Sequence, residues 1–232
     1  MPVEMPTVDF ADQSGIFDPS LFADGIHVIG CGGIGASALP TLATLGITPI
    51  TLWDNDIVEP RNVASQLMFR PVDVQQMRSK VDVAEEILRT YGVEEVIANQ
   101  KWFTADEHGD DLEGVVISAV DTMAVRQDIW RAVKGNPMVT CLIDGRIGGE
   151  RYTLIVIDPC NEDHIAWYEK FQLFDEKQVV DLPCTERAVV YPAVALGAHM
   201  ATVFANLQRD VPIPRMRSED MRTGEVSFIG KK

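Results

Sequence analysis

Residues 26–80 read IHVIGCGGIGASALPTLATLGITPITLWDNDIVEPRNVASQLMFRPVDVQQMRSK, and this stretch decides the fold. The apolar run Ile26–Ile29 has the length and character of a buried strand. Gly30, Gly32 and Gly35 follow it in G-x-G-x-x-G spacing, with Gly33 between them. Glycine is needed where a backbone turns sharply and comes close to a phosphate. The helix predicted at Gly33–Leu45 then offers an anion its free N–H groups. A second apolar run, Ile50–Trp53, ends in Asp54, roughly 20 residues on, where a carboxylate meets ribose hydroxyls in such folds. The fingerprint by itself fits any adenine nucleotide.

Outward from this stretch, strand-like and helix-like segments alternate. Strands are expected at Val96–Asn99, Val115–Ser118 and Met138–Ile143, with helices at Met77–Tyr91 and Thr122–Val133. This order predicts an α/β, Rossmann-like fold: a mostly parallel sheet with helices on both faces. Arg151–Ile157 alternates like a strand lying antiparallel beside Met138–Ile143. Residues 159–188 are mixed and charged and read as a crossover segment with one short helix. Tyr191–Gln208 is apolar around most of its circumference, as in a helix covered by a core or a subunit interface, and Pro212 and Pro214 follow it. Residues 210–232 read as a tail holding one strand, Glu225–Ile229, appended to a single domain spanning 1–232.

Composition narrows the function classes. At 232 residues with a formal charge of −15, the chain lacks the clustered cations that binding a nucleic-acid backbone requires. No apolar run approaches the roughly 18 residues of a membrane span, and the N-terminus is acidic without a basic leader, so a cytoplasmic protein is expected. The four cysteines, Cys31, Cys141, Cys160 and Cys184, include no closely spaced pair, so no structural zinc is expected.

Four features close the predicted strands, at the edge where open α/β sheets bind ligands. They are the glycine turn; Asp54-x-Asp56; Asn62-x-x-x-Gln66 with Lys80 downstream; and Ser118-Ala-Val-Asp121 with Arg126 five residues later. In this order and spacing the sequence resembles the ThiF/MoeB/HesA family, relatives of the ubiquitin-activating enzymes, from about Phe17 to Leu207. The resemblance implies an ATP- and Mg²⁺-dependent adenylyltransferase and, with it, a homodimer. Its substrate would be the C-terminal carboxylate of a small ubiquitin-like or sulfur-carrier protein. It also implies roles: Gly30, Gly32, Gly33 and Gly35 around the phosphates, Asp54 on the ribose with Asp56 and Gln66 beside it, Asn62 and Lys80 on the triphosphate, and Asp121 on Mg²⁺. The chain departs from the family at Ser65, where an arginine is the pattern, and its first cation is Arg61, so no arginine precedes the glycine turn. Arg61, Arg70 and Arg78 are the replacements at hand.

Each residue also has a plainer reading. Asp121 is either a metal ligand or the cap of the helix beginning at Thr122. Cys184, in a region where some relatives carry an acceptor cysteine, is either that acceptor or an incidental thiol. Arg126 reads as a salt-bridge partner, Cys31, His27 and His199 as packing, and Asp144 with Arg146 as either site-facing groups or a turn ion pair. Beside the adenylyltransferase stand two alternatives, an NAD-dependent oxidoreductase and a nucleotide-binding scaffold without catalysis.

Overall fold

The computed structural model describes residues 8–174 and 189–230, so Cys184 and most of the second half of the expected crossover lie outside the described residues. Among the described residues eight strands form one sheet in the order β3-β2-β1-β4-β5-β6-β7-β8. They are β1 Ile26–Ile29, β2 Ile50–Trp53, β3 Val96–Asn99, β4 Gly114–Ser118, β5 Val139–Gly148, β6 Arg151–Ile157, β7 Met216–Asp220 and β8 Glu225–Ile229. The first five are parallel, in register from Ile26 beside Ile50 and Val115, while β5 to β8 continue as an antiparallel meander. The inner strands β1 and β4 are buried at every position, as expected for a parallel sheet covered on both faces.

Helices cover both faces. On one lie α1 Gly33–Leu45, α4 Lys80–Thr90 and α8 Val190–Gln208, packed over Val28, Leu52, Ile117 and Ile143. On the other lie α6 Met123–Val133 and α7 Glu162–Phe171, packed over Ile29, Val116, Leu142 and Ile157. Three short helices fill the connections: α2 Pro60–Ser65, α3 Pro71–Gln75 and α5 Ala105–His108. The α/β architecture, with its mostly parallel sheet and helices on both faces, is the one read from the sequence.

The differences have local causes. The helix expected from Met77 begins at Lys80, because Met77 sits at φ +51° and Ser79 takes the N-cap, its hydroxyl accepting from the Asp82 N–H. Strand β5 runs on to Gly148, past the apolar stretch, because its hairpin with β6 pairs Asp144 with Ile155 and Arg146 with Thr153. Strand β7 is the polar segment MRSED and went unforeseen. Its central Ser218 is buried against β6, where it pairs with Thr153. Helix α8, at 19 residues, is by length and composition long and apolar enough to cross a membrane, contrary to the sequence expectation. Half of it is buried inside the protein, against α1 and β6.

Candidate functional site

The carboxyl ends of β1, β2 and β4 bring most of the expected site residues together. Gly30 turns at φ +98°, and a side chain there would meet the Ala119 carbonyl at 2.6 Å. Gly35 is closer still, since a Cβ would lie 2.1 Å from the Gly30 carbonyl oxygen. These two glycines are demanded by the protein's own backbone. The other two are not. A Cβ on Gly33 would meet nothing within 4 Å, and one on Gly32 only the Gln66 Nε2 at 4.0 Å. Gly32 is the N-cap of α1 and has no side chain to satisfy the first-turn N–H groups. The helix start is therefore a cradle with donors and open space, a combination that suits a phosphate.

Asp54 stands beside this cradle. Its Oδ2 accepts from the Cys31 N–H at 2.7 Å and its Oδ1 from the Asp56 N–H at 2.8 Å, which ties the end of β2 to the glycine turn. Burial pushes its carboxyl above the usual range, against the pull of Lys80 and the two N–H groups. Cys31 is fully buried and burial pushes its thiol up, as befits a space-filling residue rather than a nucleophile. Lys80, buried at 7% exposure, opens α4; its Nζ reaches Asp56 Oδ2 at 2.6 Å and its N–H donates to the Asp56 carbonyl at 2.9 Å. The Asp56 side chain remains 52% exposed, so the ion pair sits at the rim.

Asn62 and Gln66 come from α2 and its end. Asn62 is buried, and its Oδ1 accepts from the Glu59 N–H at 2.8 Å, leaving the Nδ2 donors for another partner. The Gln66 N–H donates to the Asn62 carbonyl at 2.8 Å, which lays the Gln66 amide over Gly32. Its Oε1 is buried with no hydrogen-bond partner among the described residues, an unmet polar group at the edge of the cradle. Asp121 lies beyond β4. The capping role belongs to Thr122, whose hydroxyl accepts from the Val125 N–H at 3.4 Å. Asp121 itself is exposed and makes no hydrogen bond or ion pair with another described residue.

The replacement arginines do not reach the cradle. Arg70 and Arg78 both donate to the fully buried Asp73, at 3.0 and 3.2 Å, and both pair with Glu86, at 3.1 and 2.6 Å. Arg61 is 83% exposed and pairs with Glu59, and the Ser65 hydroxyl donates back to the Arg61 carbonyl at 3.0 Å. His27 is buried, with Trp53 Nε1 donating to its Nδ1 at 3.4 Å, and His199 stacks on Tyr152. Arg126 is in a buried ion pair with Asp144. One participant of that cluster, Tyr168, whose hydroxyl donates to Asp144, was not legible as such. A tyrosine in a charged helix carries no sequence signal of such a contact.

Comparison with known proteins places this geometry. Sulfur carrier protein ThiS adenylyltransferase of Escherichia coli K12 is 27% identical over 213 residues, covering 89% of this chain and 78% of that protein. Human ubiquitin-like modifier-activating enzyme 6 is 24% identical over 157 residues, and the match spans 14% of that much longer protein. The crystal structure of E. coli MccB with AMPCPP and MccA superposes with a TM-score of 0.67 at 17% identity, covering 91% of this chain and 64% of that one, a likeness of fold. The profile of the ThiF family matches residues 18–206, and the chain belongs to that family.

Proposed function

We propose that the protein is an ATP- and Mg²⁺-dependent adenylyltransferase that activates the C-terminal carboxylate of a ubiquitin-like or sulfur-carrier protein, and that it works as a cytoplasmic homodimer. The observation that carries this is the cradle at Gly32 and Gly33, open ground at the start of α1 that no protein atom requires. A relative named as a ThiS adenylyltransferase, matching across 89% of the chain, supports the reaction class.

In this reading a carboxylate oxygen of the substrate attacks the α-phosphorus of ATP. The bond from that phosphorus to the bridging oxygen breaks, giving an acyl-adenylate and pyrophosphate. Such transfers are driven mainly by positioning and charge neutralisation. The first-turn N–H groups of α1 bind the phosphates, and Lys80, freed from the exposed Asp56, neutralises the leaving pyrophosphate. Asn62 donates through Nδ2, its oxygen being held by Glu59. Asp54, anchored to the turn, accepts from the ribose. Mg²⁺ is usually held by one or two carboxylates plus substrate phosphates, and Asp121, exposed beside the turn, fits as such a carboxylate. Bound there, the ion would offset phosphate charge.

ATP–pyrophosphate exchange with small carrier proteins ending in Gly-Gly tests the proposal; exchange that appears only with a carrier present supports it. A second reading, a nucleotide-binding scaffold without adenylation, is favoured by one specific observation. Ser65 replaces the family's arginine, and Arg70 and Arg78 are both engaged by Asp73. AMPCPP binding without exchange for any carrier would decide for the scaffold.

A further inference from the structure

Next to the cradle, on the far side of β4, lies a buried group of charges that the reading above leaves unused. Asp144, on β5, is fully buried. Its Oδ1 accepts from Arg126 of α6. Its Oδ2 accepts from Arg146 Nε at 2.9 Å, from Arg146 Nη2 at 2.6 Å and from the Tyr168 hydroxyl of α7 at 2.9 Å. Arg126 also donates to the carbonyls of Val120 and Gly145. One buried carboxylate thus serves two guanidinium groups, with the charge of Asp121 reaching Arg126 alone of the two. Burial and the nearby Arg146 press the Arg126 guanidinium down to about 9, the mark of cations crowded together away from water.

A buried hydroxyl is also left over. Arg146 spends Nε and Nη2 on Asp144 and also bonds the Tyr168 hydroxyl, and the guanidinium still carries further N–H groups. Ser118, which pairs with Asp144 across β4 and β5, is 1% exposed and its hydroxyl has no hydrogen-bond partner among the described residues. Two guanidinium groups sharing one buried carboxylate beside an orphaned hydroxyl are completed by an anion. The neighbouring carboxylate, Asp121, is exposed and acts on Arg126, while Arg146 has, among the described residues, only Asp144 and the Tyr168 hydroxyl as polar partners. Access is through Arg146, whose side chain is 16% exposed and lies against the Phe174 ring.

Sheet order says which anion. Along the carboxyl edge, Asp54 ends β2, the glycine turn ends β1, Asp121 follows β4, and the Asp144 cluster ends the row on β5. A nucleotide laid with its ribose at Asp54 and its phosphates on the turn therefore points its reacting end toward β5. The geometry points to a carboxylate-binding subsite in which Arg146, held by Asp144 and backed by Ser118 and Arg126, grips the acyl substrate before attack. The planar guanidinium fork matches a carboxylate. Naming that carboxylate as the acyl substrate's rests on the adenylyltransferase reading; the anion site itself does not. The site also puts a cation on the substrate side of a chain whose Ser65 replaces one on the nucleotide side.

Titrations of the whole protein followed by the arginine Nε–H resonances test this. The probes are N-acetyl-glycylglycine, with a terminal carboxylate, and N-acetyl-glutamic acid α-amide, with a side-chain carboxylate. N-acetyl-glycylglycinamide and chloride at equal ionic strength are the controls. Saturable shifts are expected with one or both carboxylates and with neither control, and the tighter probe tells whether a chain terminus or an acidic side chain is gripped. Arg146→Gln should weaken that binding by ~10-fold or more while AMPCPP affinity is unchanged. Arg146→Lys, which keeps the charge and loses the fork, should fall between, and it decides the matter if Arg146→Gln fails to fold. Equal shifts with chloride or the neutral amide, or wild-type carboxylate affinity in the folded variant, overturn the subsite. Absence of pyrophosphate exchange would sink the adenylyltransferase reading and leave these titrations unaffected.

Discussion

Two groups of charge flank the connection between β2 and α4, and they behave in opposite ways. Around Asp73 every charge is answered. The buried carboxylate takes four hydrogen bonds from Arg70 and Arg78, and Glu86 engages both guanidinium groups from outside. Around the glycine turn the bonding is left incomplete: Lys80 meets an acid that is half in solvent, Gln66 Oε1 has no hydrogen-bond partner among the described residues, and Gly32 and Gly33 face open space. Similar residue types produce a structural clamp in one place and a binding site in the other. What separates them is whether the protein satisfies its own polar groups, since a buried, satisfied network has nothing left to offer a ligand.

The sharpest break of this contrast lies within the glycine turn itself. Gly35→Ala must push a Cβ into the Gly30 carbonyl, so a loss of about 3 kcal/mol or more in urea denaturation is expected. Gly33→Ala meets nothing and should stay within about 1 kcal/mol of the parent, yet weaken AMPCPP binding ~10-fold. If both variants bind AMPCPP like the parent, the cradle is not a phosphate site.

Lys80→Ala comes next. It should lower ATP–pyrophosphate exchange by ~10²–10³, the scale of losing one preorganised charged donor, with little change in fold stability. Exchange within twofold of the parent would remove Lys80 from the site. Arg70→Ala tests the clamp in the converse sense. Exchange should be unaltered while stability falls by about 1–2 kcal/mol, less than for a fully buried pair because the Arg70 side chain is 47% exposed and Arg78 remains. A kinetic defect in a variant of undiminished stability would show that Arg70 serves the site after all.

The smallest effect is in pH. Hydrogen bonds from Arg78 and Arg70 hold the Glu86 carboxyl below its ordinary 4.5. At Asp73 burial pushes the carboxyl up, but the hydrogen bonds and charge of Arg70 outweigh it and hold it below the usual range. Depressed folded values mean that this stabilisation is complete above about pH 4.5 and is lost as pH falls through the folded values. Denaturation curves between neutrality and pH 3 should therefore drop less steeply in Arg70→Ala than in the parent, and parallel curves would refute the coupling.

Legibility followed the length and regularity of each element. Helix α1 and strands β1, β2, β3, β6 and β8 fall where apolar runs and alternation placed them. Helices α2 and α3, of six and five residues with proline at the start, are too short to show a period, and β7 is polar because strand pairing and polar side-chain bonds to β6 hold it in place of an apolar face. At the site, the glycine turn and Asp54 were named from spacing, and Asn62, Gln66 and Lys80 from their resemblance to the family pattern, and all gather at one end of the sheet. Their roles toward ATP remain proposals, as does that of Asp121.

The amino-acid sequence by itself determined the strand–turn–helix start, the alternation that makes an α/β sheet and the family pattern, because these depend on residues near one another along the chain. Only the tertiary structure decided which charges are free. Arg70 and Arg78 look like spare cations until Asp73 is seen buried between them, and Asp144 with Arg146 looks like a local pair until Arg126 and Tyr168 arrive from separate helices. A side chain's availability depends on every neighbour the fold brings to it, and those neighbours lie far away in sequence.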